Sequence, residues 1–344
     1  MNKNNVKSKK YKILVGILLV LTLASLAFAV ISYISRMNEE EKKETTNSGA
    51  VTYTEEEVNS LIEKAKLNSD NAFLSTLKDK FSSGSSTSAI LKKLYPENVI
   101  YYDTDRYVFA PILNNVTKHN LSYSGFAVAE DGRITYSDNN QVKSYMGIDV
   151  SKFQGNIDWS KVKKAGVDFT MIRCGFRSYG NGIMNDDSNF KQNASGASAA
   201  GLSVGVYYFS SAITVAEAVE EADYVISAIK PYKINYPVVI DLEEIANDTY
   251  RQESLSAKEL TDICIAFCDR IKSAGYTPMV YSNLKGFIGN LDLERINQYE
   301  KWFAYYDTEL YFPYQLSMWQ YSSSGKIDGI TGNVDLNISF KNWN

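Results

Sequence analysis

From Tyr145 onward, short β-branched runs alternate with amphipathic helical stretches, and this alternation restricts the fold more than any other feature of the chain. The segments 146–150, 169–174, 203–209, 237–243 and 279–281 have the length and composition of buried parallel strands. Helical patterns at 159–165, 189–200, 215–229 and 256–274 separate them, and a short helix follows the fifth strand. Strand-like runs at 302–306, 317–321 and 334–336 then follow too closely to leave room for full helices. Five β/α units plus three strands make eight, the number that closes a barrel. The spacing therefore predicts an α/β fold with a TIM-like barrel over 145–344.

The fourth predicted strand ends in carboxylates, Asp241-Leu242-Glu243-Glu244. Residues at i and i+2 of a strand share a face, and at the carboxyl-terminal mouth of a barrel that face looks into the active site. Asp149 ends the first strand and Asp335 lies in the eighth, and first and last strands are neighbours in a closed barrel. Four acids are thus expected at one mouth. Crowding them out of water raises the pKa of at least one, as a general acid working near neutral pH requires. Carboxylates about 5–9.5 Å apart are the working parts of glycoside hydrolysis. Arg173, in the second strand, is buried by pattern and needs an acidic partner, either Asp149 or a structural acid elsewhere.

Other chemistries are poorly supplied. The chain of 344 residues has one histidine, His119, far upstream of the acid-rich strand. A Ser-His-Asp or Cys-His device would have to borrow it, and a histidine-ligated zinc site has no ligand set, so no metal or cofactor is expected. Cys264 and Cys268 share a helix face and Cys174 sits in an apolar run, a pattern of core packing rather than of a disulfide framework. The net charge of −4 gives no case for nucleic-acid binding.

Three separated motifs carry a resemblance to a known family. Gly147-Ile148-Asp149-Val150-Ser151-Lys152-Phe153-Gln154-Gly155, with Ile157-Asp158-Trp159, resembles the opening of the glycoside hydrolase family 25 lysozymes. Val239-Ile240-Asp241-Leu242-Glu243 resembles the family's Asp-x-Glu strand. Met318-Trp319-Gln320-Tyr321, Gly329-Ile330 and Val334-Asp335-Leu336-Asn337 resemble its closing signature. The resemblance covers about 145–344 and implies hydrolysis of the β-1,4 bond between N-acetylmuramic acid and N-acetylglucosamine. It implies Glu243 as general acid, Asp241 assisting, and Asp149 and Asp335 in support. Tyr208 and Tyr305 stand where the family often has histidine, which bears on subsite preference and pH dependence. Tyr207, Tyr281, Trp302, Trp319, Gln320 and Arg173 are the expected substrate-binding residues, the aromatic rings stacking on pyranose faces.

The first 144 residues lie outside that resemblance. Lys3, Lys7, Lys9, Lys10 and Lys12 form a basic tail over 1–12, followed by an uncharged apolar run over 13–34. That run is long enough to cross a hydrocarbon core of roughly 30 Å. Lysines before it and Glu39-Glu40-Glu41 after it orient the amino terminus inward and the remainder outward. A signal peptide cleaved near Ala27-Phe28-Ala29 is the competing reading. Residues 35–86 read as a helical stalk, and 87–144 as a small accessory module with strands at 99–102, 107–110 and 133–136. Partners in an envelope complex would be met through the stalk or the accessory module.

The expected function is a membrane-anchored, extracytoplasmic muramidase acting on peptidoglycan glycan strands. Two alternatives stand beside it: a non-catalytic peptidoglycan-binding subunit of an envelope-spanning complex, and a barrel glycosidase acting on another N-acetylated polymer such as chitin.

Overall fold

A computed structural model describes residues 54–245 and 248–343. The expected membrane span at 13–34 lies outside the described residues, and among those described no helix is long and apolar enough to cross a membrane. The chain divides into two compact units, Met1–Ile90 and Leu91–Asn344.

In the first unit, helix α1 (Glu55–Ser82) begins at a capping box in which Thr54 and Glu57 satisfy each other's backbone donors. Its 28 residues span about 42 Å at 1.5 Å per residue. Leu67, Phe73, Leu74 and Phe81 on it are exposed. A second helix, α2 (Thr87–Leu94), crosses the boundary between the units.

The second unit opens with hairpin β1 (Asn98–Asp103) and β2 (Arg106–Pro111). A three-stranded meander follows: β3 (Phe126–Val128), β4 (Ile134–Asp138) and β5 (Gln141–Val142). Gly132, at φ +80°, supplies the left-handed position in the β3–β4 turn. The barrel then runs β6 (Tyr145–Val150), α3 (Trp159–Lys164), β7 (Phe169–Arg177), β8 (Met184–Asp186), α4 (Phe190–Ala199) and β9 (Ser203–Phe209). It continues through α5 (Val215–Ile229), β10 (Val238–Asp241), α6 (Ala257–Ser273) and β11 (Pro278–Asn283). A single π-helical turn, Gly286–Asn290, stands where a fifth helix would be, before β12 (Glu300–Ala304), β13 (Met318–Gly325) and β14 (Val334–Ser339).

Eight of these strands close on themselves, because β6 pairs with both β7 and β14, while β8 adds only an edge hairpin to β7. Seven run parallel. The eighth, β14, is antiparallel to both of its neighbours. Strand β10 ends at Asp241, so Glu243 lies two residues beyond the strand and not on it as expected.

Inward side chains of alternate positions fill the barrel: Phe169, Met171, Val239, Met279, Tyr281, Trp302 and Met318. Phe169 fits only because β6 carries Gly147, where a Cβ would lie 2.1 Å from the Phe169 ring. Outside the barrel, helices cover the early strands through Val225, Ile229, Ile263, Phe267 and Ile271. No helix follows β12 or β13, which leaves outward aromatic side chains that water would otherwise reach. Segment 91–144 covers them. Phe126 packs on Trp319 and Phe340 with ring centroids 5.9 Å apart in each pair. Backbone N–H groups of Ile100 and Leu113 donate to the Tyr311 and Tyr314 hydroxyls, both at 2.9 Å. The 91–144 segment is thus the missing outer layer of the barrel, in one unit with it.

Candidate active site

Asp149, Asp241, Glu243 and Asp335 line one cavity of about 240 Å³ at the barrel mouth. Arg173, Tyr207, Phe209, Tyr281, Trp302, Tyr306 and Gln320 complete its wall. The direction of β14 makes this possible. Because that strand runs antiparallel, its first residues lie beside the last residues of β6, and Asp335 pairs in register with Asp149. On the other side, Asp241 is in register with Phe209 and Tyr281, the mouth-end residues of its neighbours.

Asp149 sits at the centre of a polar cradle. Its Oδ2 accepts from Gln320 Nε2 and Asn337 Nδ2, each at 2.8 Å. Gln320 Oε1 in turn accepts from the Tyr281 hydroxyl at 2.7 Å and the Tyr306 hydroxyl at 3.0 Å. Asn337 Oδ1 accepts from Trp302 Nε1 at 2.8 Å. Each amide therefore has its orientation fixed by the donor behind it, and both point N–H groups at the same carboxylate oxygen.

Burial pushes the Asp149 pKa upward, while the two amides and the neighbouring Asp335 carboxyl oppose the rise. Asp335 is pushed up to about 8 by burial and by the negative charge of Asp149, to which it is hydrogen-bonded. Asp241 is raised well above the ordinary carboxylate range by burial, then by Glu243 and Asp149, with Arg173 opposing. Its Oδ1 has no protein hydrogen-bond partner among the described residues. Glu243 is raised by burial and by Asp149, against a lowering from Tyr281. Like charges so close cannot all ionise, and the cavity holds protons near neutral pH.

Of the expected substrate-binding residues, Arg173, Tyr207, Tyr281, Trp302 and Gln320 line the cavity, but Trp319 does not. Adjacent strand residues face opposite sides, so with Gln320 inward Trp319 must point out. It is fully buried beneath Phe126, its Nε1 donating to the Tyr305 carbonyl at 2.8 Å. Tyr208 and Tyr305 also lie outside the cavity. Tyr208 is buried against Tyr224, and the Tyr305 hydroxyl accepts from Lys92 Nζ at 2.7 Å. Arg173 pairs with Asp187 and not with Asp149: its Nε donates to Asp187 Oδ2 at 2.9 Å. Asp187 also accepts from the Lys152 and Asn189 backbone amides, which ties the loop after β6 to the Arg173 side of the cavity. Asn337 was not expected as a site residue, although period-2 alternation from Asp335 places it on the inward face.

The closed barrel and its four converging carboxylates define a glycoside hydrolase, and comparison with known proteins agrees. The profile described as Glycosyl hydrolases family 25 matches residues 148–330. The chain belongs to that family, and is a glycoside hydrolase of lysozyme type. It is 31% identical over 198 residues to the uncharacterized protein YegX of Escherichia coli K12, covering 56% of this chain and 68% of that one. It is 27% identical over 191 residues to the autolytic lysozyme of Clostridium acetobutylicum, covering 55% and 54% respectively. Among solved structures it resembles the modular autolysin LytC of Streptococcus pneumoniae, with a TM-score of 0.52 and 27% identity over 62% of this chain and 52% of that one. LytC has also been solved in complex with a synthetic peptidoglycan ligand. The chain thus spans about half the length of LytC and of the clostridial lysozyme.

Proposed function

We propose that this protein hydrolyses the β-1,4 bond between N-acetylmuramic acid and N-acetylglucosamine in peptidoglycan, with Glu243 as proton donor. The observation that carries the reading is the convergence of Asp149, Asp241, Glu243 and Asp335 on one cavity that also presents aromatic rings. Family membership and the peptidoglycan ligand of LytC support the choice of substrate.

Glu243 lies beyond the strand end and is only partly buried, so its proton can exchange with water and reach a glycosidic oxygen. Burial and the negative charge of Asp149 raise its pKa, the direction a proton donor requires. Glu243 protonates the leaving oxygen as the bond to the anomeric carbon breaks. Asp241, deeper in the cavity, orients the substrate's N-acetyl group so that the acetamide oxygen attacks that carbon. Water then opens the cyclic intermediate, with the Glu243 carboxylate taking its proton. Asp149 and Asp335 hold Asp241 and the sugar in position.

Glu243→Gln preserves shape but supplies no proton, so turnover of purified peptidoglycan falls by about two orders of magnitude or more. A folded Glu243→Gln protein with wild-type turnover would remove the assignment. The same charges and aromatic rings would serve a non-catalytic peptidoglycan binder, which predicts no bond cleavage by the wild type.

The reading places the barrel outside the membrane, tethered through 13–34 with the basic amino terminus inside. Protease shaving of intact cells should remove the catalytic domain. Its protection inside the cell, or quantitative release beginning at Val30, would overturn the tether and leave the hydrolase assignment intact.

A further inference from the structure

Around the barrel mouth four strands follow one another in the order β11, β10, β9 and β7. Glu243, just past β10, meets Tyr281 of β11. Asp241 ends β10, and Arg173 of β7 lies on the far side of β9, in register with Tyr207. All three residues line the same cavity. Proton donor, acetamide-binding acid and cation therefore succeed one another along one wall. That order maps onto the sugar. With the scissile oxygen on C1 at Glu243 and the acetamide on C2 at Asp241, the next ring carbon, C3, turns toward Arg173. In N-acetylmuramic acid C3 carries a lactyl ether ending in a carboxyl group, and in N-acetylglucosamine it carries a hydroxyl.

Arg173 is set to receive an anion. Asp187, whose side chain is fully buried, accepts from Nε at 2.9 Å and fixes one edge of the guanidinium. Nη2 stands 2.8 Å from the same oxygen but is misaligned with it, and it is buried without a hydrogen-bond partner among the described residues. Cζ lies 5.1 Å from the ring centre of Phe153 and 5.4 Å from that of Phe176, so two rings restrain the fork. The Lys152 ammonium approaches the same rings at 5.4 and 5.5 Å, and among the described residues no carboxylate pairs with it. Arg173, Lys152 and Asp187 together sum to one positive charge. This end of an otherwise acidic cavity thus favours a carboxylate, which a guanidinium fork binds through paired N–H donors.

We propose that Arg173, with Lys152 outside it, binds the carboxylate on the C3 ether arm of N-acetylmuramic acid, and so selects that sugar over N-acetylglucosamine at the anomeric carbon attacked. The inference rests on the muramidase reading of the site. The carboxylate belongs either to the lactyl group itself, in strands stripped of stem peptide, or to an attached stem peptide. Two substrate pairs separate these sources: stripped strands and peptide-bearing strands, each used as prepared and after carbodiimide coupling of its carboxylates to methylamine. With the wild-type full chain, kcat/KM measured from new reducing ends should fall about tenfold on neutralising the strands that carry the recognised carboxylate. In Arg173→Gln and in Lys152→Gln that ratio should shrink toward one, and Arg173→Lys should retain part of it. Lys152 is exposed, so its variant keeps the test open where Arg173→Gln does not fold. A purely structural role would lower activity on charged and neutral strands alike and leave the ratio intact. A ratio that survives in the folded variants, or a wild type that cleaves both members of each pair equally well, would overturn the inference. No cleavage of any of the four substrates would instead sink the muramidase reading on which it stands.

Discussion

Asp149 and Asp335 stand opposite each other across the antiparallel seam between β6 and β14, two carboxyls joined by a hydrogen bond. Asp335 carries the proton in that bond while Asp149 takes two amide donors on its other side. The seam thus closes the barrel and sets the charge of its mouth.

The first prediction concerns stability. Asp335 moves from its ordinary value of 3.8 to about 8 in the folded protein. A raised carboxyl pKa contributes stability that is fully present below the unfolded value and is lost as pH rises through the folded one. Between about pH 4 and pH 8 the wild type should therefore lose stability. Asp335→Asn, which keeps a donor toward Asp149 without titrating, should flatten that slope in urea denaturation series. An unchanged slope would show that the proton resides elsewhere.

Asp149 also acts on Glu243 through space, its negative charge helping to raise the acid's pKa. Asp149→Asn removes that charge, so Glu243 should lose its proton at lower pH. The alkaline limb of the pH dependence of kcat/KM should move down in the residual activity of this variant. A limb that stays fixed or moves up would exclude Glu243 as the titrating acid.

Two tryptophans of neighbouring strands separate groove from scaffold. Trp302→Phe deprives Asn337 Oδ1 of its donor and frees the amide that orients Asp149. An unsatisfied buried acceptor costs about 1–3 kcal/mol, and kcat/KM should fall about tenfold. Trp319→Phe loses its bond to the Tyr305 carbonyl and packing beneath Phe126. It should lower stability by about 1–3 kcal/mol and leave kcat/KM of the folded protein near wild type. The reverse assignment of the two phenotypes would contradict the site as described.

The eight strands were legible because period-2 apolar runs and amphipathic helices leave strong patterns, and all four acids stood out at strand ends. Strand direction leaves no such pattern. That Asp335 opens its strand and still reaches the mouth follows only from β14 running antiparallel. Asp187, the true partner of Arg173, follows the short edge strand β8, an excursion that no periodicity marks. Trp319 was placed in the groove by its chemistry, whereas alternation with Gln320 already turns it outward. The cover supplied by segment 91–144 depends on where a meander docks, which local pattern does not specify; the aromatic run through Tyr305, Tyr311, Tyr314, Trp319 and Tyr321, in β13 and the helix-free connection before it, was its one signal.

Participation by the substrate's acetamide makes a stereochemical prediction. The attacking group comes from the sugar itself, so two successive inversions leave the anomer retained. Proton NMR of the first products should show the β anomer before mutarotation. An initial α anomer would mean that an Asp241-activated water attacks directly.

The most direct measurement of the central claim is the identity of the new reducing ends. Purified peptidoglycan digested with the wild type, then reduced with borohydride and hydrolysed, should yield muramitol, with Glu243→Gln as the matched control giving none above background. Glucosaminitol in place of muramitol, release from chitin alone, or no new ends from a folded wild type would contradict the account.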